Sequence, residues 1–223
     1  MQHNVEVRRA DLTEDANRAA ALAWRAEPIA PRREEVALFR ARWLDLFTRV
    51  HPATPYVVGV PLFSYSLWLA RALEPWVLLS LVLGGWLLWT LVEYAMHRFL
   101  FHLRAEGEHA RIALLLAHGH HHVWPSDRRR IAATPVQLGS LLLLFWGLSQ
   151  WSLGGARGAA LFAGVVLGYV VYEAVHFMAH HGRPRSRLLR ALKDHHLRHH
   201  HAAPRSRWGI SSPLWDWVFR THR

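Results

Sequence analysis

A chain of 223 residues with 52% apolar side chains, no cysteine and a net charge of +11 excludes a disulfide scaffold and any metal chemistry that needs thiolate. Its length suits one domain with a short preamble. The basic balance raises nucleic acid as a partner, but a soluble basic binder does not carry four long apolar runs, and those runs set nucleic acid aside.

Residues 1–30 are polar and Ala-rich, without the basic start, apolar core and small-residue site of a cleaved signal. Pro31 then suits a helix start, Glu34 and Glu35 fall in its first turn, and Val36, Phe39, Trp43, Leu46, Phe47 and Val50 form a stripe at spacings of three and four. Arg40, Arg42 and Arg49 lie off that stripe, which predicts a helix resting on a membrane surface. Residues 1–55 are thus read as a cytosolic, interfacial amphipathic segment, and residues 56–223 as a membrane domain.

Four membrane segments are expected, at 56–73 (with Pro61 kinking it), 75–101, 135–153 and 158–181. The second runs for roughly 40 Å at about 1.5 Å per residue, against a hydrocarbon core of about 30 Å, so its last turns project past the bilayer. The connections at 71–74 and 154–157 are short, which pairs the segments into two helical hairpins. The expected fold is therefore all-α: an integral-membrane four-helix bundle with a helical cap. Of 27 Lys and Arg residues, only Arg71 and Arg157 lie at the hairpin tips. The opposite side, with the cap, is cytoplasmic by the positive-inside rule.

Histidines concentrate on that cytoplasmic side in four clusters. His97 and His102 end the second segment, and His118, His121 and His122 follow in HGHHH. His176 and His180 end the fourth segment, and His196, His199 and His200 stand in KDHHLRHHH. The spacings i, i+3 and i+4 put imidazoles on one helical face. Ten candidate ligands through neutral ring nitrogens are enough for two metal ions. His109, His120, His181, His195 and His201 adjoin the clusters, while His3, His51 and His222 read as surface residues. A loose His-rich tract is excluded by the dispersal of the clusters over about a hundred residues and by their place at helix ends.

An all-nitrogen site suits zinc, iron or copper by ligand type, and composition does not separate them. Ten ligands over-supply a closed structural zinc site, whereas about five per ion beside a bilayer suits iron with a position kept open for oxygen. Glu93, Glu173 and Asp194 stand close enough in sequence to the clusters to orient ligand imidazoles by hydrogen bonds. The Trp-rich tail WGISSPLWDWVFRTHR suits a cap at the membrane interface.

HRFLFH, HGHHH, YEAVHFMAHHG, LKDHHLRHHH and GISSPLWDWVF together resemble the fatty acid hydroxylase superfamily of histidine-rich membrane oxygenases, closest to the fatty acid (sphingolipid) 2-hydroxylases. The resemblance runs from about Trp68 to Phe219. It implies that the ten histidines hold two iron ions, with zinc able to replace iron in purified protein. It also implies O2 as co-substrate, a membrane lipid as substrate and oxygen insertion next to an acyl carbonyl. Eukaryotic members of that subgroup often carry a cytochrome b5 domain; the first 55 residues are too short for one, so electrons are expected from a separate ferredoxin or cytochrome b5-like donor. A sterol, carotenoid or alkyl-lipid hydroxylase or desaturase with the same site chemistry is the alternative, and a metal-handling membrane protein is a third reading disfavoured by the nearly uncharged membrane interiors.

Overall fold

The computed structural model describes residues 42–104 and 106–223. The expected helix start at Pro31 and the stripe residues Val36 and Phe39 lie outside the described residues. The end of that stripe forms a short helix, α1 (Arg42–Phe47), with Trp43, Leu46 and Phe47 exposed.

All regular structure among the described residues is helical. The long elements are α2 (Thr54–Leu69), α3 (Pro75–Ala95), α6 (Pro135–Leu153) and α7 (Gly155–His181). Proline opens three of them at the first turn, where its missing N–H costs no helical bond. At α6 Thr134 adds a reciprocal capping box with Gln137. Gly154 and Gly155, both with positive φ, make the turn between α6 and α7.

Among the described residues, three helical stretches are long and apolar enough to cross a membrane: Pro75–Phe101, Pro135–Leu153 and Gly155–His181. The expected first segment is shorter than its sequence suggested: α2 has 16 residues, about 24 Å at 1.5 Å per residue. The fourth begins at Gly155 instead of Gly158. Trp68, Trp76 and Trp151 are exposed at the hairpin-tip end, and Trp43 and Trp217 are exposed in the segments outside the long helices. Exposed indoles of this kind suit a membrane interface.

Helix α7 is the central element, buried along most of its length and packed against α2, α3 and α6. Around it, Trp89, Phe145, Phe162, Val166 and Tyr169 form the main apolar core. The approach to α3 is closest at Gly85 and Gly164, where backbone meets backbone. Small residues of this sort let membrane helices pack without side chains between them.

Past Ala95, α3 continues into a π-helical turn, π1 (Met96–Phe101). The connection to α6 holds α4 (Glu108–Leu114), a second π turn, π2 (Leu115–Gly119), and α5 (His120–Val123). After α7 come α8 (Arg187–His201), N-capped by Ser186, and α9 (Leu214–Val218). The basic stretch that follows α7 belongs to α8 from Arg187 onward.

Candidate metal centre

The four sequence clusters meet at one end of α3 and α7, and they divide into two groups of five. His97, His102, His118, His122 and His199 form one, and His121, His176, His180, His196 and His200 the other. Each histidine offers one ring nitrogen, and within a group these atoms lie within 4.8 Å of one another. The rings of His122 and His200 stack at 4.1 Å between centroids where the groups adjoin.

Local helix geometry decides this division. Residues five apart on an α-helix diverge by about 140°. His97 lies in π1, where the i→i+5 turn brings His97 and His102 onto the same side. His118 lies in π2, just before α5. His118 and His122 consequently serve one group while His121 turns to the other. On α8, His196 and His200 share a face by their i,i+4 spacing, and His199 faces the opposite group. The single imidazole face expected from each HxxHH run is therefore corrected: each run contributes to both groups.

Hydrogen bonds outside the groups fix the rings. His97 donates through Nδ1 to the Trp208 carbonyl at 2.6 Å, and His199 donates through Nδ1 to the Ser206 carbonyl at 2.8 Å. A carbonyl only accepts, so each bond leaves the Nε2 lone pair free to face inward. Nε2 atoms approach one another at 3.1 Å between His97 and His118, 2.9 Å between His121 and His176 and 2.7 Å between His180 and His196. Neither buried nitrogen of His200 has a hydrogen-bond partner among the described residues.

Burial, with the neighbouring imidazoles adding to it, holds His118, His121, His122, His196 and His200 well below the usual histidine range; His199 is pushed the same way. Neutral imidazoles with converging lone pairs and unpartnered nitrogens fit a pair of cations held entirely by nitrogen.

The acids expected to orient ligands do other work. Glu93 accepts hydrogen bonds from the backbone N–H groups of Ile210 and Ser211 and from the Ser211 hydroxyl. It therefore anchors the C-terminal segment, because those donors come within its reach before any imidazole does. Glu173 accepts from the backbone N–H of Ala133 at 3.3 Å, tying the start of α6 to α7. Asp194 is exposed on α8, turned away from the groups.

Sequence reading missed Asp216 and Asp127. Asp216 is fully buried and accepts from Trp208 N, Gly209 N and Thr221 Oγ1 and from His195 Nε2 at 3.0 Å. Burial raises its carboxyl, but these donors outweigh burial and hold it below the usual range. Asp127 meets His120 Nε2 at 3.1 Å and Arg130 at 2.8 Å. Acids set in an apolar tail (WDW) and behind a Pro–Ser turn were the available signal. Trp208 was also missed. Its ring packs on those of His97, His102 and His199, so the tail walls the centre as well as carrying exposed interfacial side chains.

A cavity of about 340 Å³ opens against both groups. Leu100, Phe101, Leu116, Leu141 and Leu144 give it an apolar wall, while His97, His118 and His121 line it from the centre. The arrangement can hold an apolar chain beside the two imidazole groups.

Comparison with known proteins agrees with this geometry. The fatty acid hydroxylase family model matches residues 82–221. Fatty acid 2-hydroxylase of Homo sapiens is 40% identical over 171 residues, which cover 75% of this chain and 42% of that protein. Dihydroceramide fatty acyl 2-hydroxylase FAH2 of Arabidopsis thaliana is 40% identical over 141 residues, 63% of this chain and 60% of that one. The chain thus spans roughly half the length of these curated relatives. A solved structure described as full-length scs7p with only its hydroxylase domain visible superposes with a TM-score of 0.77 at 33% identity, covering 80% of this chain and 69% of that chain. The family model spans all ten clustered histidines and more than half of the chain, and the chain belongs to the fatty acid hydroxylase family.

Proposed function

We propose that this chain is a membrane-bound oxygenase that hydroxylates the acyl chain of a lipid at the 2-position, using O2 and electrons from a separate ferredoxin or cytochrome b5-like donor. The observation that carries this reading is the pair of five-imidazole groups, six of their rings buried and four half-buried, at the wall of an apolar cavity. The acyl 2-hydroxylase names of the relatives support the regiochemistry.

In this reading the ten histidines hold two iron ions, and zinc replaces iron where the protein is purified from zinc-rich cells. Iron, when bound, supplies the activation of O2 and the attack on an unactivated C–H bond. The protein supplies position: Trp208 and Ser206 carbonyls set the His97 and His199 tautomers, and the leucine-lined cavity holds the chain and excludes water. The fold reading has α2, α3, α6 and α7 as a four-helix membrane bundle of two hairpins. Residues 56–223 then form one domain, residues 1–55 an interfacial segment, and the histidine end a cytoplasmic cap, as the lysine and arginine distribution favours.

The test is mass spectrometry of total acyl chains from cells expressing the intact protein or His121→Ala. A 2-hydroxy acyl product that appears only with the intact protein is expected. Full product from His121→Ala would overturn the ligand assignment. Oxidation of a sterol or carotenoid, with acyl chains unchanged, would overturn the substrate assignment and leave the metal centre standing.

A further inference from the structure

We propose that the outward face of α8 is a docking surface for an acidic one-electron redox protein. The inference rests on the oxygenase reading above. Hydroxylation by O2 inserts one oxygen atom and releases the other as water, which consumes two electrons and two protons in each turnover. Those electrons arrive from outside the chain, so some surface close to the centre receives their carrier.

Helix α8 lies between the centre and its own exposed face. Leu192, His196 and His199 are buried on one side, and Arg187, Arg190, Asp194, Arg198 and His201 are exposed. At about 100° per residue the exposed set centres on the direction opposite His196, whereas the exposed Leu188 and Leu189 fall within about 80° of it. The apolar residues therefore lean to the same side as the buried histidines and the bundle, and the arginines turn away from it. That division favours a soluble protein partner over lipid headgroups, which would sit beside the leucines.

Charge and distance point the same way. From Arg183 onward the chain carries ten Lys or Arg and two acids, and one of those acids, Asp216, is buried. The exposed ring of His201 lies 6.0 Å from that of His200, which belongs to the centre. A docked carrier is thus separated from the centre by one helix, about 10–12 Å across with its side chains. A basic face of this kind steers an acidic partner and makes its association fall with salt.

The experiment uses the full chain, iron-loaded, in phosphatidylcholine nanodiscs, with a reduced acidic plant-type ferredoxin as probe. Binding is measured directly, and hydroxylation is driven either by ferredoxin or by dithionite. The triple variant Arg187→Glu, Arg190→Glu, Arg198→Glu is expected to weaken ferredoxin binding and ferredoxin-driven turnover at least about 10-fold at low salt. It should also flatten their salt dependence, with iron content and dithionite-driven turnover kept at the parent level. The triple Lys variant is expected to retain binding. Parent-like ferredoxin binding by the Glu variant would overturn the docking surface. So would an effect seen only when anionic lipid is added to the nanodiscs, or an equal loss of dithionite-driven turnover. If the parent binds ferredoxin in a salt-dependent way yet hydroxylates nothing with either reductant, the oxygenase reading falls while the docking face stands.

Discussion

The close approach of α3 and α7 makes a direct prediction. A Cβ placed at Gly85 would lie 2.1 Å from the carbonyl oxygen of Leu161 and 2.9 Å from Gly164 Cα, where ordinary contact begins at 3.4 Å. The shortfall is 3.4 − 2.1 = 1.3 Å, and it is backbone against backbone, so rotamer changes cannot absorb it. Gly85→Ala therefore forces the helices apart by about 1 Å. Overpacking costs about 1–3 kcal/mol, and alanine's better helix propensity returns about 1 kcal/mol of it, leaving a net loss of about 2 kcal/mol at the upper end of the range. The consequence reaches the centre, because 97 − 85 and 176 − 164 both equal 12 residues, or about 18 Å of helix from the crossing to His97 and His176. Thermal unfolding in detergent should show a fall of about 4–8 °C, and elemental analysis a reduced metal content per chain. Gly84→Ala is the control, since no atom of the described residues lies within 4 Å of its Cβ. Equal melting temperature and equal metal content in the two variants would refute the reasoning.

Three further outcomes follow from named contacts. Glu93→Ala removes the acceptor for Ile210 N, Ser211 N and the Ser211 hydroxyl, so a loss on the order of 3 kcal/mol is expected; hydrogen exchange at Ile210 and Ser211 should accelerate, and unchanged protection would contradict the anchor. The lowered imidazoles at His118, His121, His122, His196 and His200 make stability pH-dependent. The unfolded chain takes up protons below about pH 6.5 while these buried rings stay neutral, so stability is lost on acidification by about 1.4 kcal/mol per pH unit for each such ring. Melting temperatures of chelated protein that stay flat between about pH 7.5 and 5 would count against their burial as neutral groups. Leu141→Trp occupies part of the cavity and is expected to depress turnover of long acyl chains more than short ones at unchanged metal content, and equal loss on both would argue that the chain binds elsewhere.

Sequence alone determined much of this protein because its main signals are local. Apolar runs long enough for a bilayer, prolines at helix starts and short glycine-containing connections located α3, α6 and α7 within a few residues. Histidines at repeated spacings marked all ten residues that gather into the two groups. What was illegible depends on distant chain segments meeting. The carboxylates of Glu93 and Glu173 were near histidines in sequence, yet they bond to Ile210, Ser211 and Ala133, which only the fold brings to them. Asp216 gave little periodic signal, but folding buries it where four donors converge. The pairing of His97 with His102 follows from a π turn whose i→i+5 bonds depend on packing at the end of α3, and the division of each HxxHH run between two groups depends on distant helices converging on both sides of it. Tertiary structure also decided the outer face of α8, since a basic helix becomes a surface above the centre only when its histidines are drawn inward.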